Sequence, residues 1–439
     1  MTNPSRTLDL SKPEDQKLYI DFSTVRGEEI IEELESQITF FSPDEPTCVL
    51  FTGHIGCGKS TELLRLKSEL EAEGFYVVYF ESSEDLDMAD VDIGDVLLAI
   101  AKRVSNSLEQ LNLSDAKGLR GLLQGAAKIL MTEIEVEAEA ELLGVGVSGN
   151  TEGEMSLSAG IGKITARAKN DATLRDRLNQ FLGPQKNQLL DAINTELIEP
   201  AIKRLKAQGN RGLVVIVDNL DRVDSRLRAF GRPQQEYLFI DQYECLLKLA
   251  CHKVYTIPLA LKFSSEYGML TQRFPKEPKV LPMVPVQMQD GARCEAGLEL
   301  LRQMVLVRAL PDASEGERQS AIEHLFDQSE SLDRLCLTSG GHVRDLLRLL
   351  NDWIMKCRQL PLTMEKLEAV IRSRRNEMTM HIDDEEWEML RQVQLRKKVS
   401  GDRDYQTLIR SRLVFEYRNR GESWFDVNPI LLEAPELQG

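Results

Sequence analysis

The amino-acid sequence predicts an α/β fold built on a five-stranded parallel sheet, followed by a helical domain and a C-terminal unit of two helices and a β-hairpin. Three observations support this prediction. A glycine-rich loop lies between an apolar run and an amphipathic segment at 48–70, short apolar runs alternate with helical patterns up to about residue 290, and an alternating hairpin pattern occupies 414–427. Short apolar strands that alternate with helices are typical of doubly wound parallel sheets.

The glycine-rich loop reads Gly53-x-x-x-x-Gly58-Lys59-Ser60. Glycines let successive backbone N–H groups turn toward phosphate oxygens, and the helix that follows adds the positive end of its dipole. Lys59 is expected to reach the β- and γ-phosphates, and Ser60 to hold Mg²⁺ through its hydroxyl. The sequence therefore predicts a site for ATP and Mg²⁺. The predicted nucleotide-binding residues are Gly53, Gly56, Gly58, Lys59, Ser60 and Thr61.

A second apolar run supplies an acidic partner for this loop. Residues 213–217 are continuously apolar and end in Asp218. Such a run predicts a strand buried on both faces of a parallel sheet, and these sheets bind ligands at the carboxyl ends of their strands. Asp218 is therefore predicted to hold the Mg²⁺ shell, and Asp221 to orient the attacking water. The remaining strands are predicted at 48–51, 75–80, 253–261 and 279–286.

Composition limits the class of protein. The chain has 439 residues, which suits two or three domains, and its net charge of −17 argues against non-specific nucleic-acid binding by the whole surface. No run of eighteen apolar residues is present, so we expect no membrane contact. The seven cysteines lack C-x-x-C spacing, and the first residues lack the apolar core of a signal peptide. We expect a cytoplasmic protein.

These motifs resemble those of AAA+ and STAND-type P-loop ATPases, close in plan to the origin-recognition and initiator ATPases, over roughly residues 20–430. The D-x-x-D-R segment at 218–222 is most similar to STAND and KAP-type NTPases. The resemblance implies three further site residues. Thr256 would sense the γ-phosphate, Arg273 would reach a neighbouring subunit's ATP, and Arg344 would contact the γ-phosphate from a helical lid. Ordinary strand packing for Thr256 and a solvated surface position for Arg273 are the alternatives.

The chain departs from the AAA+ pattern at one position. Many members carry Glu directly after the metal-associated acid, whereas this chain has Asn219. An asparagine cannot accept a proton from water. Either Asp221 does that work, or hydrolysis is slow and ATP holds a switch in one state. We favour the slow switch.

Periodicity predicts the domain organisation: a nucleotide-binding core at 1–291, a helical lid at 292–375 and the C-terminal unit at 376–439. Apolar residues recur at helical spacing at 295–310, 315–327 and 363–374. An insertion at about 90–208 contains Glu-apolar alternation at 132–141 and basic-apolar alternation at 163–169. Period-two alternation predicts a β-hairpin at about 132–169, interpreted as an assembly or partner-sensing element.

The C-terminal order of helix, helix and hairpin resembles the winged helix that initiator ATPases carry at this place. Residues 391–420 contain nine Lys or Arg and three Asp or Glu, a local excess of positive charge. Such an excess is typical of a phosphate-backbone contact, which makes double-stranded DNA a candidate partner. STAND proteins instead pack this module on the ATPase core as a latch. The candidate DNA-binding residues are Arg410, Arg412, Arg418 and Arg420.

The leading functional hypothesis is therefore an ATP-dependent switch, a slow ATPase that controls homo-oligomer assembly or signals to a separate effector or sensor protein. The resemblance makes cellular defence a plausible setting. A DNA-binding initiator or loader ATPase is the first alternative, and a scaffold that binds ATP without hydrolysing it is the second.

Overall fold

The computed structural model describes residues 6–27, 29–108, 116–130, 156–228, 231–400, 403–419 and 421–438. Five strands form a parallel sheet in the order β2-β3-β4-β1-β5. The strands are β1 (Cys48–Gly53), β2 (Tyr76–Glu81), β3 (Leu213–Asp218), β4 (His252–Thr256) and β5 (Lys279–Leu281). The predicted α/β fold with a five-stranded parallel sheet is confirmed.

Both faces of the sheet are buried, as the continuous apolar run of β3 predicts. Val215 and Val217 pack in one apolar cluster, and Val214 and Ile216 pack in another on the opposite face. One face is covered by Ile30–Ser36 and Lys59–Ala72, and the other by the helices of the insertion. Parallel strands require this coverage on both sides because the helical crossovers run over both faces.

The helices of the core follow the predicted alternation with strands. The α-helices before β3 are Pro13–Gln16, Ser23–Arg26, Ile30–Ser36, Lys59–Ala72, Ser82–Asp85, Ile93–Ser107, Lys117–Leu130, Leu157–Asn170, Ala172–Leu182, Lys186–Ile193 and Glu199–Ala207. Those between β3 and β5 are Gln234–Glu236, Tyr243–Leu247 and Tyr267–Arg273. Short π-helices span Gln37–Phe41, Asn194–Ile198 and Tyr237–Asp241, and 3₁₀ turns span Gly183–Gln185, Leu220–Arg222 and Leu259–Phe263.

The second strand of the predicted hairpin at 132–169 is wrong, because Leu157–Asn170 is a helix. Its buried residues Leu157, Ile161, Ile164 and Ala168 recur every three or four positions, and this face packs against Ile93–Ser107. The Ser156 side chain caps the helix by accepting a hydrogen bond from the Ala159 N–H. The first predicted strand, 132–141, lies outside the described residues.

Helices occupy the three segments predicted for the lid. These helices are Glu295–Ala309, Glu315–Ser320, Ile322–Leu325 and Met364–Thr379. Two further lid helices are Glu330–Ser339 and Val343–Cys357. Trp353 lies at the centre of this bundle, fully buried, with its ring stacked on Phe326 and its indole N–H donating to the Thr363 carbonyl at 2.9 Å. The indole therefore contributes apolar packing without leaving its donor unpaired.

The C-terminal unit contains the helices Asp384–Arg396 and Arg403–Arg410, then an antiparallel pair β6 (Val414–Asn419) and β7 (Glu422–Val427). The predicted hairpin at 414–427 is confirmed. A 3₁₀ turn, Pro429–Leu431, and a short helix, Pro435–Gln438, follow it. Phe415, Tyr417 and Trp424 pack on the face of the core sheet that Lys59–Ala72 covers. Phe425 and Val427 pack with the apolar residues of the lid helices. Within the described ranges, no helix is long and apolar enough to cross a membrane.

Gly297 allows close packing between the lid and the segment that follows β5. A Cβ at this position would lie 1.9 Å from the Pro285 carbonyl oxygen, so Gly297→Ala forces the backbone apart. We expect a loss of about 1–3 kcal/mol in the free energy of unfolding, measured by chemical denaturation. Gly316→Ala, in open space on another lid helix, is the control, and it should be neutral or slightly stabilising. Equal stability of the two variants would contradict the described packing.

Candidate nucleotide-binding site

The loop between β1 and the helix Lys59–Ala72 has the backbone that its glycines predict. Gly56 has φ 100° and Gly58 has φ 111°, a region that side chains strongly disfavour. A Cβ on Gly56 would also lie 2.6 Å from the ring of His342, so the lid approaches the loop closely. The Cys57 carbonyl accepts a hydrogen bond at 2.7 Å from the buried Arg26. The loop is therefore curled, with His342 of the lid against Gly56 and Arg26 hydrogen-bonded to Cys57.

Lys59 lies at the centre of this loop and is bound within the chain. Its Nζ donates to the carbonyls of Gly53 and His54 at 2.8 and 2.9 Å, and it pairs with Asp221 Oδ2 at 2.9 Å. Burial alone would lower the pKa of Lys59, but the neighbouring acidic groups, of which Asp221 contributes most, together outweigh burial and raise it. The other carboxylate oxygen of Asp221 is buried without a hydrogen-bond partner among the described residues. Asp221 is thus the counter-ion of Lys59 in this arrangement.

Asp218 ends β3 directly beside Ser60. Its carboxylate accepts hydrogen bonds from the Tyr79 hydroxyl at 2.9 Å and from the Asn219 N–H at 2.6 Å. Burial raises the pKa of Asp218 and the nearby Asp221 adds to this, while the Ser60 hydroxyl opposes both by hydrogen bonding. A hydroxyl and a carboxylate are the hard oxygen ligands that Mg²⁺ prefers, so the donor set fits this ion. Ser60 and Thr61 both line the cleft.

The carboxylate of Glu81 also belongs to this edge of the sheet. Glu81 ends β2 and pairs in register with Asp218. The Asn219 side chain, on a residue with φ 65°, donates to Glu81 Oε2 at 2.6 Å. Burial and the charge of Asp218 raise the pKa of Glu81. No sequence motif marks Glu81, although it directly follows the strand predicted at 75–80, at the end where such sheets bind ligands.

Arg344 reaches the loop from the helix Val343–Cys357. Its backbone N–H donates to the Gly56 carbonyl at 3.2 Å, and the residue lines the cleft. Burial lowers the pKa of Arg344, and the neighbouring positive charges of Arg222, Arg348 and Arg412 lower it further. The guanidinium makes no hydrogen bond or ion pair with another described residue. An arginine in such a place is available for an anionic ligand.

Arg308 is a second lid arginine at the cleft, and no sequence motif marks it. Its guanidinium donates to the carbonyls of Leu18 and Met304 at 3.3 and 3.2 Å, without an ion pair among the described residues. Burial lowers the pKa of Arg308 to about 10. Its position in the last turn of Glu295–Ala309 gave no signal, because helices commonly end in a basic residue.

Two other residues implied by the resemblance pack within the chain. Thr256 is fully buried, and its hydroxyl donates to the Val217 carbonyl at 3.4 Å. The guanidinium of Arg273 lies 5.0 Å from the centre of the Tyr243 ring and donates to the Ile240 carbonyl. The γ-phosphate sensing role of Thr256 stays a prediction, as does the contact of Arg273 with a neighbouring subunit's ATP. That contact would require the Arg273 side chain to leave the Tyr243 ring.

His342 joins the lid to the loop. Its Nε2 lies 2.8 Å from the Ile55 carbonyl oxygen, and its Nδ1 accepts the Asp345 N–H at 3.0 Å. These two contacts together require the neutral ring with the proton on Nε2. Burial lowers the pKa of His342 to about 4, which agrees with a neutral ring. The ring also stacks on Phe415 of β6, with centroids 5.7 Å apart.

The C-terminal hairpin contacts the loop directly. The Glu416 N–H donates to His54 Nε2 at 3.0 Å, and the Glu416 carbonyl accepts the Met283 N–H at 3.0 Å. The Glu416 carboxylate is fully buried and pairs with Lys262 at 2.6 Å. The Tyr417 hydroxyl donates to the Gly340 carbonyl at 2.9 Å. The first hairpin strand therefore binds the loop and the lid at once.

The candidate DNA-binding arginines lie at this same interface. Arg410 donates to the Ser225 hydroxyl, Arg412 pairs with Asp345 at 3.3 Å, and Arg418 pairs with Glu416 at 3.2 Å. Arg420 lies outside the described residues. Three of the four side chains are thus engaged within the chain.

The cleft over the loop is narrow. Its volume is about 70 Å³, and residues 6–8 contribute to its lining together with the lid. Small-molecule sites usually have about 300–1,000 Å³. A nucleoside triphosphate therefore requires the lid or residues 6–8 to move.

Comparison with known proteins agrees with the motif analysis. The sequence profile of the KAP family P-loop domain matches residues 28–229, under half of the chain, which contain both the loop and Asp218. Together with the sheet, this match defines a P-loop NTPase fold. No curated protein sequence matches the chain.

Two solved structures align along nearly the whole chain. A Walker-type ATPase of Pyrococcus abyssi is 13% identical, with a TM-score of 0.39, over 99% of each chain. The ORC1 protein of Aeropyrum pernix, in complex with DNA, is 13% identical, with a TM-score of 0.38, over 99% of this chain and 98% of its own. At these scores the two likenesses carry no weight for function.

The neutral His342 makes stability depend on pH. Its pKa falls from 6.5 to about 4 on folding, so the unfolded chain binds more protons between these values. The free energy of unfolding therefore decreases as pH drops through this window, by up to about 1.4 kcal/mol per pH unit from this ring. His342→Gln should flatten the dependence between pH 6.5 and 5, measured by denaturation at each pH. The exposed His324→Gln should leave it unchanged, and equal slopes in the two variants would contradict a neutral His342.

Proposed function

We propose that this chain is an ATP-dependent molecular switch whose phosphate-binding loop is closed by its own lid and C-terminal hairpin. The observation that supports this most directly is the hydrogen bond from the Glu416 N–H to His54, inside the loop. A ligand that changes the loop changes this contact. Because His342 and Phe415 stack on each other beside the loop, the lid and the hairpin would move together.

The residues around the cleft fit ATP with Mg²⁺. Lys59, Arg344 and Arg308 would share the phosphate charge, and Ser60 with Asp218 would hold the metal shell. Mg²⁺ neutralises charge on the β- and γ-phosphates when it is bound. The two lid arginines have no carboxylate partners among the described residues, so a polyphosphate would supply the missing negative charge.

We propose that hydrolysis is slow. The residue after Asp218 is Asn219, and Asp221 is paired with Lys59. Asp221 lines the cleft, but its carboxylate can activate water only when its pairing with Lys59 is broken. A long-lived ATP-bound state suits a switch, because a partner then has time to bind the surface that the hairpin would uncover before ATP is hydrolysed.

Lys59→Ala tests nucleotide binding. Removing the ammonium leaves the phosphates without their central charge and leaves Asp221 buried and unpaired, so we expect ATP affinity to fall at least about 100-fold. Fluorescent nucleotide titration measures this. Lys67→Ala, two turns along the same helix and paired with Glu71, should bind normally. Retained affinity in Lys59→Ala, with wild-type thermal unfolding, would refute the proposed site.

Assembly is the output that we propose for the ATP state. When the hairpin leaves the loop, buried aromatic side chains such as Phe415 and Trp424 become available to a second copy or to a partner protein. The particle-mass distribution should shift to oligomers with a slowly hydrolysed ATP analogue and stay monomeric with ADP. A monomer in both states would count against self-assembly and favour a separate effector or sensor protein.

DNA binding is the alternative function, supported by the basic excess at 391–420 and by the winged-helix-like order of residues 384–427. It would require the unit to leave the core, since Arg410 and Arg412 are bound to Ser225 and Asp345. Salt-dependent DNA binding that the double replacement Arg410→Ala and Arg412→Ala removes would favour this alternative. Absence of DNA binding with the ATP analogue would exclude it.

A further inference from the structure

We propose that Glu81 is the carboxylate that accepts a proton from the attacking water, and that Asn219 positions it. The inference rests on the proposed ATPase function and names the group that performs its chemical step. It assigns the general base to the end of strand β2, in place of Asp221 in the turn after β3.

The register of the sheet brings the two acids together. Glu81 and Asp218 are the last residues of adjacent parallel strands and are direct partners across the ladder. Adjacent strands lie about 4.8 Å apart, and both carboxyl ends face the edge at which such sheets bind their ligands. Glu81 therefore lies one strand away from the predicted metal ligand.

Asn219 links Glu81 to the cleft. It lines the cleft together with Lys59 and Ser60, and its side-chain amide donates to Glu81 Oε2 at 2.6 Å. The left-handed backbone at Asn219, φ 65°, is one that asparagine tolerates well. The amide leaves the second carboxylate oxygen of Glu81 free of this contact, and a carboxylate oxygen can accept from water.

Each of the other carboxylates at this edge has a charged partner or two hydrogen-bond donors, and the Asp221 oxygen that lacks a partner, Oδ1, is buried. Asp221 is the counter-ion of Lys59 at 2.9 Å, and Asp218 accepts from Tyr79 and from the Asn219 N–H. Directly after β2, Glu84 and Asp85 both pair with Arg103. Among the described residues at this edge, Glu81 is the carboxylate whose side-chain partner is a neutral amide.

The step balances without any further reactant. The water oxygen forms a bond to the γ-phosphorus as one water proton moves to the Glu81 carboxylate. The bond from the γ-phosphorus to the β–γ bridging oxygen breaks, and its electron pair stays on the β-phosphate. ADP and inorganic phosphate leave, and Glu81 then returns its proton to solvent.

Single-turnover hydrolysis of ATP by the full chain tests the assignment. Glu81→Gln keeps the shape and the hydrogen bond to Asn219 but cannot accept a proton, so we expect the rate to fall about 100-fold or more. Nucleotide affinity should stay within about threefold, because no phosphate contact is lost. The neighbouring Glu84→Gln is the matched control, and its rate should equal that of the wild type.

An exchange variant gives a second, positive readout. Glu81→Asn alone should be inactive, while Glu81→Asn combined with Asn219→Glu returns a carboxylate to the same pair from the other strand. We expect the exchange to recover at least about tenfold in rate over Glu81→Asn. Because the exchange also restores the hydrogen-bonded pair, this recovery supports a catalytic role when Glu81→Gln, which keeps that hydrogen bond, has lost the rate.

The failures of the two proposals are distinguishable. If the wild type does not bind ATP, the proposed function is wrong. If it binds ATP, the inference about Glu81 is overturned either by an absence of hydrolysis or by a Glu81→Gln rate within about twofold of the wild type.

Discussion

The contact between the Glu416 N–H and His54 Nε2 is the interaction on which the closed arrangement depends. A backbone donor requires the ring nitrogen to be an acceptor, so His54 must be neutral at Nε2. Burial lowers the pKa of His54 far below its usual value, and the nearby His342 and Lys59 add to this. The phosphate-binding loop and the last strand pair of the chain therefore share one hydrogen bond in a buried site.

The buried pair of Lys59 and Asp221 explains how a nucleotide would compete with that arrangement. In the closed chain each charge compensates the other at 2.9 Å. A γ-phosphate that takes Lys59 leaves Asp221 without its partner, and an uncompensated buried carboxylate is costly. Asp221 must then find water or a new partner. The segment after Asp221 includes Ser225, which holds Arg410 of the C-terminal unit, so a change at Asp221 reaches that unit within a few residues.

Local patterns predicted most of the fold. The apolar run that ends at Asp218 and the glycines around Lys59 each specify backbone geometry within a few residues, and the structure contains both. The strand predicted at 163–169 was wrong because its basic-apolar alternation also places Ile164 and Ala168 four residues apart, on one face of a helix. Seven residues cannot separate the two periods, and the packing on Ile93–Ser107 decided between them.

The site was less predictable than the fold because its remaining side chains meet only in three dimensions. Arg308 and Leu18 lie about 290 residues apart in the sequence, and Glu81 meets Asn219 through sheet register. The loop contact of Glu416 is made by its backbone N–H, which no side-chain motif marks. The sequence pattern predicted the order of two helices and a hairpin, but it did not predict the contact of the hairpin with His54.

Hydrogen exchange at the Glu416 amide tests the central claim most directly. In the closed chain this amide is buried and bound to His54, so the segment 414–419 should exchange slowly without nucleotide and with ADP. A slowly hydrolysed ATP analogue should make the segment exchange much faster in the wild type and have no effect in Lys59→Ala. Slow exchange in both proteins at saturating analogue would show that the hairpin stays on the loop, and would contradict a switch that works by its release.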